Sequence, residues 1–508
     1  MIAMKQLWGW FVGLAALSAL GCGVDSGETS TGGSGTGGSG GSGGGLVCPD
    51  DPKEGAVDPA CGVWVSTSLG NDDNDGSQDA PVTTLTKAIE LAEAGPGRVY
   101  ACGGETWTET VVVPGSVSLH GGFDCAAGWA YPEEPAPAML VPNAPTAMLY
   151  VNPGKDTFPF LTDFYIESAD ATEPGGSSIA LFIRDDVGLT LTRVEMVAGN
   201  GADGLDGELS DSMPAPAGAA GNDGADACSA EVSPGGAAPE TACDAETTKG
   251  GAGGDGGLMT AGNGAAGEPA GPGGAGGLGQ VGAAGCSGGQ PGAAGEAGKP
   301  GRGGQSKQVE LTPEGYLGRK GEEGEPGKPG QGGGGGGATL GSVAVCGAAT
   351  PGGAAGGSGG AGGCGGKAGK GGQAGGASLS LASRSRLRVI LGLGLVFQSK
   401  NGGAGGDGVP GQPGGEGGPG GLGGQGAGSI GPACGGGPGG AGAKGGWGGG
   451  GAGGFSANIF GAYGAEFELP LDSVHDVGDG GYPGFGDPDF PEGFGESGDE
   501  NQYYVSQN

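Results

Sequence analysis

Apolar and polar residues alternate along three short stretches that are copies of one another. Residues 176–191 (GSSIALFIRDDVGLTL) return 200 positions later as 376–391 (GASLSLASRSRLRVIL), aligning Ser178 with Ser378, Leu181 with Leu381, Arg184 with Arg384 and Leu191 with Leu391. A weaker third copy at 454–469 (GFSANIFGAYGAEFEL) aligns Phe460 with Phe182, Phe467 with Leu189 and Leu469 with Leu191. A period of two is the signature of a half-buried strand. Each copy is followed by a glycine-rich stretch or tail. The pattern therefore predicts stacked strand units of one β structure, with long glycine excursions between them.

Ahead of the repeats the pattern is more varied. VWVST (63–67) reads as a strand, and GNDDNDGSQDAP (70–81) as a polar turn. A short helix follows in which Leu85, Ala88, Ile89 and Ala92 share one face. Alternating runs at 99–101, 110–113, 117–120, 147–151, 160–167, 179–184 and 189–197, punctuated by Gly, Pro, Asn and Asp, read as strands.

VWVSTSLGNDDNDGSQDAPVTTLTKAIELAEAG, followed by ETWTETVVVPGSVSLHGGF, resembles the opening of pectate-lyase-like right-handed β-helix proteins. The resemblance spans roughly residues 62–200 and implies a capping helix followed by coils. The expected fold class is all-β: a small right-handed parallel β-helix at 62–200 with further strand units at 376–400 and 454–477. Glycine-rich insertions occupy 201–375 and 401–453, and 478–508 reads as an acidic disordered tail. Cys102 and Cys125 lie about one such coil apart, and strands stacked at about 4.8 Å would bring their Cα atoms within disulfide range.

Composition matters most in the insertions. Gly accounts for 137 of 508 residues, far outside the globular norm. It recurs at every third residue in 289–304, 315–336, 402–426 and 436–454. Three residues per turn is the polyproline-II repeat, which puts every third glycine on one bare stripe. Three readings follow. GKPGRG and GEEGEPGKPG are collagen-like; bare stripes would also let left-handed polyglycine-II segments of one chain exchange backbone hydrogen bonds; and disorder would spare the entropy of ordering glycine. The polyglycine-II bundle is preferred, because the collagen-like runs are short and six cysteines are interspersed. A block that leaves and re-enters one stack needs an even number of passes. GGAGGDGGLMTAGNGAAG (250–267) also resembles the PGRS repeats of mycobacterial surface proteins, without the PE module of that family.

The N-terminus reads as a targeting segment. Lys5, the apolar run Leu7–Leu20 and Ala19-Leu20-Gly21-Cys22 resemble a bacterial lipoprotein signal (1–21) with its lipobox. The resemblance implies that Cys22 is acylated, and residues 22–61 then read as a Gly/Ser tether. Ten further cysteines remain, an even number with no zinc spacing, which predicts disulfides. Cys102–Cys125 is the leading pair, with Cys48–Cys61 and Cys228–Cys243 as local candidates.

The net charge of −35 argues against nucleic acid as a partner. Asn71, Asp73 and Asp75 have the alternation of a calcium loop, although the acid expected at its twelfth position is Val82; the competing reading is a polar turn that caps the helix. No other cofactor is expected. Asp163, Arg184, Asp185, Asp186, Arg193 and Glu195 are the only dense supply of groups for a carbohydrate-active β-helix enzyme, while His120 and His475 read as structural or solvated. With no assembled catalytic set, the expected function is a non-catalytic envelope lipoprotein. It would be membrane-anchored, at the outer membrane or cell surface, and would have a structural, adhesive or partner-binding role toward a glycan or protein. An extracellular polysaccharide lyase or glycosidase is the alternative.

Overall fold

The computed structural model describes residues 48–152, 158–208, 212–244, 246–468 and 472–506. The signal segment, Cys22, the tether as far as residue 47, and Leu469 lie outside these. The chain is all-β, built on two parallel sheets. In the first, Val63–Val65, Arg98–Cys102, Ser118–Phe123, Phe160–Glu167, Leu189–Val197, Val389–Leu391 and Phe467–Glu468 lie side by side. Val396–Ser399 and Val474–Val477 extend the same sheet. In the second, the order is Val111–Pro114, Thr146–Val151, Ser178–Ile183, Ser378–Ser383, Ser456–Gly461 and Glu500–Val505.

Strand pairing follows the sequence repeat. Ser178 pairs with Ser378 and Ser378 with Ser456, while Leu181, Leu381 and Ile459 form one column and Phe182, Ala382 and Phe460 another. Leu189, Val389 and Phe467 form the matching column of the first sheet. The inward columns merge into one core with Val65, Leu119, Leu161 and Leu191. The helix Leu85–Ala94 buries Leu85, Ala88, Ile89 and Ala92 against it, and starts at Thr84, whose hydroxyl accepts from the Lys87 amide. The outward face of the second sheet is buried as well over its three strands Ser178–Ile183, Ser378–Ser383 and Ser456–Gly461. A hairpin emerging from the glycine insertion, Glu310–Thr312 and Gly315–Leu317, lays Leu311 and Tyr316 over Phe182, Phe455 and Phe460.

Apart from that hairpin and a second at Glu240–Cys243 and Glu246–Lys249, the described residues of the glycine-rich blocks are ordered without being strands. They run back and forth as extended passes that exchange backbone hydrogen bonds at every third residue. Gly403, Gly406, Val409, Gln412 and Gly415 donate to residues 376, 373, 370, 367 and 364 of the neighbouring pass. Among the described residues, passes at 199–227, 233–239, 249–257, 261–268, 273–280, 286–304, 318–340 and 351–376 alternate in direction and return the chain to Ser378. Two passes, 401–426 and 431–454, return it to Ser456. The pass at 351–376 is central: Ser358, Gly359 and Gly360 donate in turn to Asn222, Gly251 and Gly437, in three different passes. A side chain has no room there, since a Cβ on Gly359 would lie 1.9 Å from the Gly333 carbonyl oxygen.

Three expectations are corrected. Residues 48–61, assigned to the tether, are an ordered strap of two 3-10 turns closed by Cys48–Cys61. Residues 478–499, assigned to a disordered tail, form two more passes, in which Gly481 donates to Gly454 and Gly498 to Gly481, and Glu500–Val505 completes the second sheet. Cys228 pairs with Cys346 rather than with Cys243, which pairs with Cys364. Cys228 ends the first pass at the far turn, beside the short helix Val343–Cys346, whereas Cys243 sits on a hairpin against the central pass. Cys102–Cys125 forms as expected, and Cys286 pairs with Cys434. The three bridges within the glycine blocks close loops of 118, 121 and 148 residues. Each removes about 4.7 kcal/mol or more of unfolded-state entropy in the chain-entropy model.

A Cβ on Gly414 would stand 2.1 Å from the Gly442 carbonyl oxygen, whereas the Glu416 side chain is exposed. Gly414→Val is therefore expected to open the bundle and make 401–454 protease-sensitive, with Glu416→Val resistant like the parent. Limited proteolysis with mass mapping checks this. Gln412, although at a non-glycine position, is no neutral control, because its buried amide accepts from the Lys367 amide and donates to the Met213 carbonyl.

Candidate functional site

The most elaborate side-chain arrangement lies on the outer face of the first sheet, where that sheet bends. Asp163 and Arg193 occupy neighbouring places on adjacent strands, between the pairs Thr162–Thr192 and Phe164–Val194. Both have left-handed backbone, with φ of 58° and 52°, as do Gly122 (85°) on the adjoining strand Ser118–Phe123 and Gly394 (70°) between Val389–Leu391 and Val396–Ser399. Such residues cost energy unless their surroundings hold them.

What holds them is ionic. Arg193 Nε donates to Asp163 Oδ1 at 2.7 Å and Nη2 to Asp163 Oδ2 at 3.0 Å. The far side of the guanidinium clamps Asp51 of the strap, from Nη1 at 2.9 Å and Nη2 at 2.7 Å. Tyr131 donates to Asp163 Oδ2 at 2.6 Å. Asp163 is 2% exposed, so its carboxylate is deeply desolvated, while the Arg193 side chain is only partly buried. Burial works to raise the Asp51 carboxyl, but hydrogen bonds from Arg193 and the Lys53 amide hold it below its ordinary value. Burial likewise opposes the Arg193 charge, and the bonds to Asp163 and Asp51 overcome it and raise the guanidinium's pKa. Burial and the hydrogen bond to Asp163 keep the Tyr131 hydroxyl protonated.

Arg98 repeats the device on the residues just before Asp51, donating to the Cys48 and Pro49 carbonyls and to Asp50 Oδ1 at 2.7 Å. Beneath the strap, Trp64, Tyr100 and His120 form a stacked outward column. His120 is fully buried, its Nδ1 lies 3.0 Å from Thr162 Oγ1, and its Nε2 has no partner among the described residues. Burial, with the nearby Arg98 charge, pushes this imidazole down to about 3, so the ring is neutral at ordinary pH.

The remaining sequence-selected residues do not converge. Arg184 and Asp185 are in loose contact at 3.4 Å, and Asp186 accepts from the Arg386 amide at 2.8 Å. Glu195 accepts from Gln398, and burial and the charge of Glu167 raise its carboxyl. His475 stacks on Phe397 and is within 2.7 Å of Ser473 Oγ. The Asn71, Asp73 and Asp75 loop serves as a turn. Asn71 accepts from the Asp73 amide and Asp75 from the Ser77 amide, while Asp72 accepts from Thr83 and Thr84 at the start of the helix. The Asn71 and Asp75 oxygens are thus turned toward backbone amides, and among the described residues no group of three His, Cys, Asp or Glu side chains is arranged to hold a metal ion.

Asp163 and Arg193 were legible as candidates. Asp51, Tyr131 and Arg98 were not, because nothing in their local sequence signals contacts 32 to 142 positions away. No protein-family model matches the chain, and no curated protein or solved structure matches it.

Arg193→Met would leave Asp163 buried without its partner and should cost about 3–5 kcal/mol in urea unfolding, since losing one member of a buried pair strands the other charge. A second outcome concerns pH. Unfolded histidine protonates near 6.5, while folded His120 resists protonation until about 3, so the unfolded state binds more protons between these values. Stability should therefore fall as pH drops from about 6.5 toward 5, above the range where Asp51 begins to contribute. His475, lowered by burial, adds a contribution of the same sign. Urea midpoints measured across this range should decline less steeply in His120→Phe.

Proposed function

We propose that this protein is a membrane-anchored lipoprotein of the bacterial envelope, acting as a rigid, non-catalytic scaffold that presents a partner-binding surface. On this reading the two parallel sheets are a right-handed β-helix and the glycine passes a polyglycine-II bundle. The observation that carries it is the closure of the Asp51–Arg193–Asp163–Tyr131 cluster: every guanidinium nitrogen is already bonded within the protein. Such an arrangement rigidifies a bend and ties down the strap, and leaves no group free to exchange a proton with a substrate. Further support comes from the disulfides, which suit an oxidising compartment, and from the Cys22 lipobox and the glycine tether.

A carbohydrate-active enzyme is the second reading, favoured by the half-buried carboxylates Glu167 and Glu195, the latter raised as a general acid would be. Tyr165 hydrogen-bonds Glu167 at 2.7 Å, which suits a fixed surface network equally well.

Cys22→Ser is expected to move the protein from the membrane fraction to the soluble fraction after cell lysis, and mass spectrometry of the parent should show an acylated Cys22. A soluble, unlipidated mature parent would defeat the anchoring proposal. Incubation with polysaccharides, with and without calcium, should release no oligomers. Release that is lost in Arg184→Ala, Asp185→Ala or Glu195→Gln would establish the enzyme instead.

A further inference from the structure

A groove of about 790 Å³ opens between the strap and the loop that follows Phe123. Its walls carry Pro52, Pro59, Trp129, Tyr131 and Pro132. Both walls are held from behind. The strap is closed by Cys48–Cys61 and clamped through Asp51 by Arg193, and the loop is tied at its base by Cys102–Cys125 and through Tyr131 to Asp163. A groove so fixed would lose little entropy on binding.

Trp129 points to a ligand. Its backbone is left-handed, with φ of 63°, directly after Gly128 at 71°. Its ring is 9% exposed and packs edge-on against Trp64 at 4.9 Å. The indole N–H of Trp64 donates to the Pro59 carbonyl and that of Trp107 to the Thr83 carbonyl, both at 2.9 Å. That of Trp129 has no partner among the described residues, and it is not enclosed. A strained backbone thus fixes a largely buried residue with an unpaired donor in the wall of the groove. Strain retained in this way is characteristic of ligand clamps.

The chemistry of the lining selects the occupant. Lys53 and Glu133 are its only charged side chains and cancel, so neither a polyanion nor a polycation finds complementarity there. Beyond the Trp129 N–H and the Tyr131 hydroxyl, which is already bonded to Asp163, Gln78 is the one further polar side chain of the lining, too few for a sugar ring, whose hydroxyls each need partners once desolvated. Flat proline and aromatic rings beside a single N–H donor fit a ligand that presents apolar rings and a rigid row of carbonyls. We propose that this groove binds an extended, proline-rich polyproline-II peptide segment of a partner protein. Trp129 Nε1 would donate to a ligand carbonyl, and prolyl rings would pack against Tyr131, Pro59 and Pro132. Aromatic grooves recognise this conformation because it is preformed and loses little entropy on docking. About six residues would span ~19 Å.

The proposal rests on the partner-binding reading and is tested with the full chain carrying Cys22→Ser, by calorimetric titration with decaproline, a glycine–serine decamer and cellohexaose. Decaproline is expected to bind and the glycine–serine decamer not to. Trp129→Phe keeps the ring packing and removes the N–H, and should weaken binding at least about fivefold, the loss of one hydrogen bond. Ala130→Arg, at an exposed wall position, should abolish binding by filling the groove, and it guards against a folding defect in the tryptophan variant. The proposal is overturned if decaproline does not bind at about 1 mM, if both variants bind it as the parent does, or if cellohexaose binds instead with the same sensitivity. Failure here with no product released leaves the scaffold reading standing. Cleavage of cellohexaose or a peptide would overturn the scaffold reading whatever the groove binds.

Discussion

Everything in this molecule depends on satisfying backbone N–H and C=O groups where there are almost no side chains to bury. A glycine-rich pass offers little apolar surface, so the hydrophobic effect that pays for ordering an ordinary domain is nearly absent. What replaces it is contact between bare backbones. At 351–376, successive residues donate to three different passes, and neighbouring passes approach until a single Cβ would collide with a carbonyl oxygen. Glycine is thus required because the backbones meet, and the backbones meet because glycine leaves no obstacle. Net hydrogen-bond free energies of about 1 kcal/mol would scarcely hold such a chain against its conformational entropy. The long disulfide loops supply the remainder by shrinking the unfolded ensemble.

The two parallel sheets act as the organiser of these passes. Each block begins and ends at a strand one ladder step from its predecessor, at Val197 and Ser378, then at Ser399 and Ser456. The two ends of each block are therefore held close together by the sheets. The conventional core of leucine, valine and phenylalanine columns contributes the apolar burial that the glycine region lacks, and the Leu311–Tyr316 hairpin returns to cover the outer face of the second sheet. A long insertion then costs little extra loop entropy.

The ionic cluster beneath the strap solves a different problem. Left-handed residues mark the bend across the middle of the first sheet, and glycine supplies them at 122 and 394. In between, Asp163 and Arg193 take the same conformation, and their mutual bonds, extended to Asp51 and Tyr131, join the strained backbone to the strap and the loop. Strain, charge and two surface segments are thereby coupled, so the groove above inherits its shape from the bend below.

Taken alone, the amino-acid sequence determined the strand ladder: the offsets between Ser178, Ser378 and Ser456 became hydrogen-bonded register, because a period-two pattern with one buried face tolerates no slip. It likewise determined the helix face at Leu85, Ala88, Ile89 and Ala92 and the three-residue glycine period, both of which are local. Only the tertiary structure decided which passes touch, since glycine stripes carry no label that distinguishes one neighbour from another. For the same reason the partners of Cys228 and Cys243 were set by which passes lie adjacent. It also decided that Gln412 is a buried hydrogen-bonding residue, that the acidic C-terminal segment pairs into the bundle and second sheet, and that Asp51 and Tyr131 meet Arg193. Each of these depends on contacts between segments far apart in the chain, where local pattern carries no information about the partner.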